Sequence, residues 1–185
     1  MKNIHLSQVA RAAAICVGAV LFAGASHAAG DKTTYDQART ASKATYESAN
    51  KRCDALSGNA KDICVAEAKA VRTKADVQAE AAYKNTPKAR EHAVHESAEA
   101  DYEVAKERCD DKGGNEKDVC LKEAKAAETR AKADAKASKK SSEARADASK
   151  DKRQADYKVA AEKCDAMSGD AKDGCVKQAK ARYGM

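Results

Sequence analysis

The sequence contains no Trp, one Phe and one Pro, and aromatic residues make up only 4% of its 185 positions. Large aliphatic side chains are equally scarce. From Ala29 onward, only 13 of 157 residues are Leu, Ile, Val or Met. A globular domain of that length needs several times more apolar volume to offset the entropy lost on folding. The shortage excludes dinucleotide-binding folds, barrels and sandwiches, and with them most enzymes. More than half of the nominal 43% hydrophobic content is alanine, 44 residues in all, and each alanine buries a single methyl group. Charge is what the chain has in quantity: 35% of residues, with 35 Lys and Arg against 29 Asp and Glu. The classes left open are disorder, long helices or coiled coils, and a thin scaffold held by crosslinks.

The first 28 residues read as a cleaved export signal. Lys2 and Arg11 precede an apolar run from Ala12 to Ala25, and Ser26-His27-Ala28 supplies small residues before a cleavage point after Ala28. The apolar run is too short to span a bilayer. Cys16 does not fit a lipoprotein signal, because the bulky Ile15 precedes it where a small residue is needed. Cleavage removes two basic residues and no acid, leaving a net charge of +4. That excess is spread thinly. Its densest spot, Lys139-Lys140, has no aromatic neighbour, so nucleic acid is not an expected partner.

Six cysteines remain, in three pairs: Cys53/Cys64, Cys109/Cys120 and Cys164/Cys175. The text between them repeats as CDALSGNAKDIC, CDDKGGNEKDVC and CDAMSGDAKDGC, and the copies recur every 55–56 residues. Tyr46, Tyr102 and Tyr157 each lie seven residues before the first Cys, and Ala68, Ala124 and Ala179 lie four after the second. Identities at so many fixed offsets mark an internal repeat. Each copy reads as helix, tight turn, helix. Gly58, Gly114 and Gly169 suit the left-handed residue that closes a helix. Asn59, Asn115 and Asp170 then suit N-caps, with Asp62, Asp118 and Asp173 in the first turn. Antiparallel helices would bring the two cysteines of a copy face to face. Repeat symmetry and an oxidising compartment therefore favour Cys53–Cys64, Cys109–Cys120 and Cys164–Cys175. Zinc thiolate sites place cysteines two to four residues apart, which a ten-residue gap does not match. The flanking seams carry small residues: Ala49 opposite Ala68, Ala105 opposite Ala124, Ala160 opposite Ala179, with Tyr46 over Val71 and Tyr102 over Ala127.

The expected fold is therefore all-α and extended rather than globular: three consecutive antiparallel helical hairpins with Ala-rich, coiled-coil-like seams, each clipped by a disulfide. Thr86 and Pro87 form a cap and first helical residue, which bounds the first hairpin at 29–85 and starts the second at 86. The second break is expected near Ser142, giving hairpins 86–140 and 141–185. No Pro or Gly enforces it, so one helix from Glu116 to Met167 is the alternative. The segment KEAKAAETRAKADAKASKK, residues 122–140, resembles the Ala/Lys-rich helical stalk of TolA-like cell-envelope proteins. That resemblance implies an envelope location and an extended helical shape. The chain departs from it in that neither a retained anchor nor a globular C-terminal domain is expected.

Catalytic constellations are missing from the text. There is no glycine-rich phosphate loop, and no Cys or Ser is placed with a His and an acid for nucleophilic catalysis. No cofactor is implied. His92, His95, Glu96 and Glu99, at four-residue spacings on one helix, are the candidate ligands for a divalent metal. Three readings follow. The first is an exported, non-catalytic periplasmic or secreted protein with a structural or interaction role, its partner an envelope protein or surface component, or another copy through its helical faces. The second is a periplasmic metal binder. The third is a binder of envelope or membrane surfaces through basic faces, against which the weak amphipathicity argues.

Overall fold

The computed structural model describes residues 30–185, so the segment expected to be an export signal lies outside the described residues. These residues form five helices and no strand: α1 (Lys32–Cys53), α2 (Gly58–Lys84), α3 (Pro87–Cys109), α4 (Gly114–Cys164) and α5 (Gly169–Tyr183). The fold is all-α, in keeping with the high helix propensity of its alanine- and charge-rich text.

Local chemistry sets most of the boundaries. Asp31 caps α1, its side chain accepting from the Thr34 N–H at 3.0 Å. Asn85 ends α2 in the left-handed conformation at φ 46°. Thr86 caps α3 by accepting from the Ala89 N–H at 3.1 Å, and Pro87 occupies the first helical position, where its missing N–H costs nothing. The hairpin turns differ from the sequence expectation. Helices α1, α3 and α4 end at the first Cys of each pair rather than a turn later. Bonds such as Leu56 N–H to Cys53 C=O at 3.0 Å tighten the exit. Gly58, Gly114 and Gly169 do hold positive φ, but each opens the following helix instead of closing the preceding one. Asn59 is consequently not a cap. Its side-chain amide donates to the Glu107 carbonyl of α3 at 3.0 Å. Asp62, Asp118 and Asp173 fall beyond the first helical turn.

The break expected near Ser142 is absent. Helix α4 runs for 51 residues through that point, about 75 Å at 1.5 Å per residue. The second and third hairpins therefore share one helix, and the boundary at 140/141 falls inside it. The stretch contains no Gly or Pro, and a solvated run of Ala, Lys, Arg, Ser and acids has no physical reason to stop being helical.

Among the described residues, only helices adjacent in sequence pack together: α1 with α2, α2 with α3, α3 with α4, and α4 with α5. The first four thus form an open row with α1 and α4 as its edges. The interior is correspondingly thin. Its buried apolar residues are Cys53, Cys109 and Cys164 with alanines such as Ala68, Ala93, Ala98, Ala135 and Ala179, and a single larger aliphatic, Val104. Small seams let helices approach closely enough for a disulfide to join them.

Two stretches of α4 have packing partners and one does not. Glu91 pairs with Lys139 at 3.0 Å and Glu99 with Lys132 at 3.4 Å, so α3 covers α4 as far as Ser142. The turn at 165–168 then folds α5 back against the distal end. Between them, every residue of 143–156 is exposed, and none forms an ion pair within the described residues.

The start of the row is pinned by backbone. The Gly30 N–H donates to the Tyr83 carbonyl at 3.1 Å, and the Tyr35 and Tyr83 rings stack at 5.0 Å. A Cβ at residue 30 would lie 2.7 Å from Tyr83 Cα and 2.9 Å from the Ala82 carbonyl oxygen, backbone atoms that cannot rotate away. Gly30→Ala is therefore expected to lower stability by about 1–3 kcal/mol and to expose the first turn of α1. Thermal melting with hydrogen exchange at Thr33–Asp36 checks this, and an unchanged melt would contradict it.

Candidate functional site

The three cysteine turns are the most strongly built features of the chain. The disulfides are Cys53–Cys64, Cys109–Cys120 and Cys164–Cys175, with Cα–Cα distances of 5.6, 5.7 and 5.7 Å. The first Cys of each pair is fully buried. A second crosslink, this one ionic, recurs in every copy. Lys61 reaches Asp54 at 3.1 Å, Lys117 reaches Asp110 at 2.9 Å, and Lys172 reaches Asp165 at 2.9 Å. These are the Asp directly after the first Cys and the Lys three before the second. The repeat displayed both, and their pairing across the turn explains why they recur. Exposed pairs of this kind contribute little to stability.

The tyrosines sit beside the seams under cations. The Arg72 guanidinium lies 5.3 Å from the Tyr46 ring centre, and the Lys125 ammonium 4.9 Å from that of Tyr102. Val71, expected beneath Tyr46, is instead 55% exposed. The reason is a polar link one residue on. Arg72 pairs with Asp76 at 3.6 Å, and Asp76 accepts from the hydroxyl of Ser42, which is buried in the α1–α2 seam. A buried hydroxyl needs its partner, and Asp76 supplies it across the seam. Tyr102 meets its alanines as expected, lining one groove with Ala105, Ala124 and Ala127.

The metal candidates are not gathered. His92 Nδ1 lies 3.8 Å from Glu96 Oε1 on an exposed face. His95 turns inward, and its Nε2 is enclosed without a hydrogen-bond partner among the described residues. Glu99 reaches across to Lys132 of α4. No group of three or more His, Cys, Asp or Glu suited to a metal ion occurs among the described residues.

Among the described residues, one carboxylate is buried. The Glu128 side chain, 4% exposed, is held by Lys125 at 2.6 Å and Lys132 at 2.5 Å. Hydrogen bonds from Lys125 first, then Lys132, hold its pKa below the ordinary glutamate value. Its contribution to stability is therefore present above the unfolded pKa, about 4.3, and is lost as pH falls toward the lower folded value. Glu128→Gln is expected to weaken the α3–α4 seam near neutral pH and to flatten the acid side of the stability curve. Urea melts from neutral to acid pH would show this; parallel curves for both proteins would contradict it.

The grooves between helices are open and shallow, and the one between α2 and α3 is lined mainly by alanine, lysine and acids. No helix among the described residues is long and apolar enough to cross a membrane. No protein-family model matches the chain, and no curated protein or solved structure does.

Proposed function

We propose that this chain is an exported, non-catalytic helical repeat protein with a structural or protein-interaction role in the bacterial cell envelope. One observation carries the reading: a single 51-residue helix holds a row of disulfide-clipped helices at one end and a smaller clipped hairpin at the other. Such a shape holds two disulfide-clipped ends apart, which suits a spacer or a two-ended binder. The leader at residues 1–28 supports export to the periplasm or beyond, and the disulfides are compatible with it. The likeness of residues 122–140 to the TolA stalk supports the envelope setting, since that segment belongs to the long helix.

Cell fractionation combined with thiol trapping tests the proposal. The processed chain is expected in the periplasmic or extracellular fraction, with all six remaining cysteines protected from alkylation until reduced. A cytoplasmic protein with alkylatable thiols would overturn it.

A further inference from the structure

The row of helices has two uncovered edges, and the internal repeat says what fits one of them. A shift of 56 residues lays α2 onto α4. Ile63, Glu67, Ala70 and Lys74 then correspond to Val119, Glu123, Ala126 and Arg130. On α2 these four residues form the face against which α3 packs. Arg108 of α3 donates to Glu67 at 2.5 Å, Lys74 pairs with Asp101, and Ala70 is buried. On α4 the same face is bare. Val119 is 46% exposed, and Val119, Glu123 and Ala126 line a shallow groove. Neither Glu123 nor Arg130 forms an ion pair within the described residues. Duplication alone does not preserve this set. In the third copy, Gly174 and Gln178 stand where α2 has Ile63 and Glu67, and the chain provides no cation at the Lys74 position.

The opposite edge carries the complement. The same shift lays α1 onto α3, placing Arg52 at the position of Arg108 and Ala44 at that of Ala100. On α1 this side faces away from α2. Ala41, Ala44, Thr45 and Ser48 are all exposed there, and Arg52 reaches only Ser48 of its own helix, at 3.2 Å. Thr45 replaces Asp101, so the pair at Lys74 has no charged counterpart, while the pair at Glu67 has one.

We propose that the α4 edge docks the α1 edge of a second copy of this chain, in the way that α2 docks α3, with Glu123 of one copy paired to Arg52 of the next. The contact is heterologous: each copy keeps one free edge, so copies add in a line or close into a ring. The surface is small and polar, which makes the association concentration-dependent and salt-sensitive. The inference goes beyond the envelope reading and does not depend on cellular location.

Sedimentation velocity of the oxidised chain from residue 29 onward, over a wide concentration range, tests it. The wild type is expected to gain mass with concentration and to lose that gain in high salt. Arg52→Glu and Glu123→Arg are each expected to weaken association about tenfold, because like charges then meet. The double variant Arg52→Glu/Glu123→Arg restores it, since every contact again pairs opposite charges. Both positions are exposed, so circular dichroism should be unchanged in all variants. A wild type that stays monomeric throughout overturns the proposal. So does association that ignores the single exchanges, which would place the contact elsewhere, or a double variant no better than either single one.

Discussion

Replacing Cys164 and Cys175 by serine is expected to unfold α5 and leave the rest of the chain folded. Helix α5 has 15 residues, packs only against α4, and buries one residue, Ala179. A helix of that length is marginal by itself in water. Closing a loop of this size contributes about 3 kcal/mol by restricting the unfolded chain, which exceeds anything one alanine methyl supplies. The first hairpin provides the contrast. Without Cys53–Cys64, α2 still packs against α3 and keeps the Glu67–Arg108 and Lys74–Asp101 pairs. Hydrogen exchange should show fast α5 amides in Cys164→Ser/Cys175→Ser and retained protection of α2 in Cys53→Ser/Cys64→Ser. Protection of α5 that survives loss of its disulfide would mean that the seam alone holds it.

The second large effect is expected at the middle of α4. Proline inside a helix costs about 3 kcal/mol and removes a backbone hydrogen bond. In a packed helix, neighbours resist the kink. Residues 143–155 are all exposed and form no ion pair within the described residues, and the side-chain bond within that stretch is the 2.8 Å link from Arg153 to Ser149. Ala148→Pro should therefore break the helix locally and let the two ends reorient, with no loss of the three disulfides or of the packing at either end. Small-angle scattering should show a shorter mean maximum dimension and a broader distribution, while the melting of α1–α3 stays unchanged. An unaltered scattering profile would mean that something other than its own backbone keeps α4 straight.

Much of this architecture was readable because it rests on contacts close in sequence. The pairing of Cys53 with Cys64 follows from matched spacing, and the Thr86-Pro87 junction from capping chemistry. The misreadings share a different cause. Gly58 reads as the end of α1 because glycine commonly closes helices, but α1 already ends at Cys53 and the glycine starts α2. Ser142 reads as a break because nothing apolar surrounds it, with one continuous helix as the alternative, and the continuous helix is what forms. Helicity there needs only the absence of a breaker, not a seam. The face joining α2 to α3 escaped the sequence reading altogether. Its pairs, Glu67–Arg108 and Lys74–Asp101, join residues of different repeat copies, and a repeat displays similarity within positions, not contacts between them. Among the candidate ligands, helical spacing placed His92 beside Glu96 but could not tell that His95 turns inward and that Glu99 faces a lysine of another helix.

The placement of the disulfides also decides what a protease can do to this chain. The three tight turns are exposed and charged, natural points of attack, yet each lies inside a loop sealed by its own cystine. A cut there leaves both new ends covalently tied, and the protein keeps its mass and its shape. A cut beside Arg145, Lys150 or Arg153, where no bridge spans the site, releases the distal hairpin as a separate fragment. In a compartment populated by proteases, nicks in the three cystine turns then leave the molecule whole, while each unwinding of the unsupported stretch of α4 puts its distal hairpin at risk.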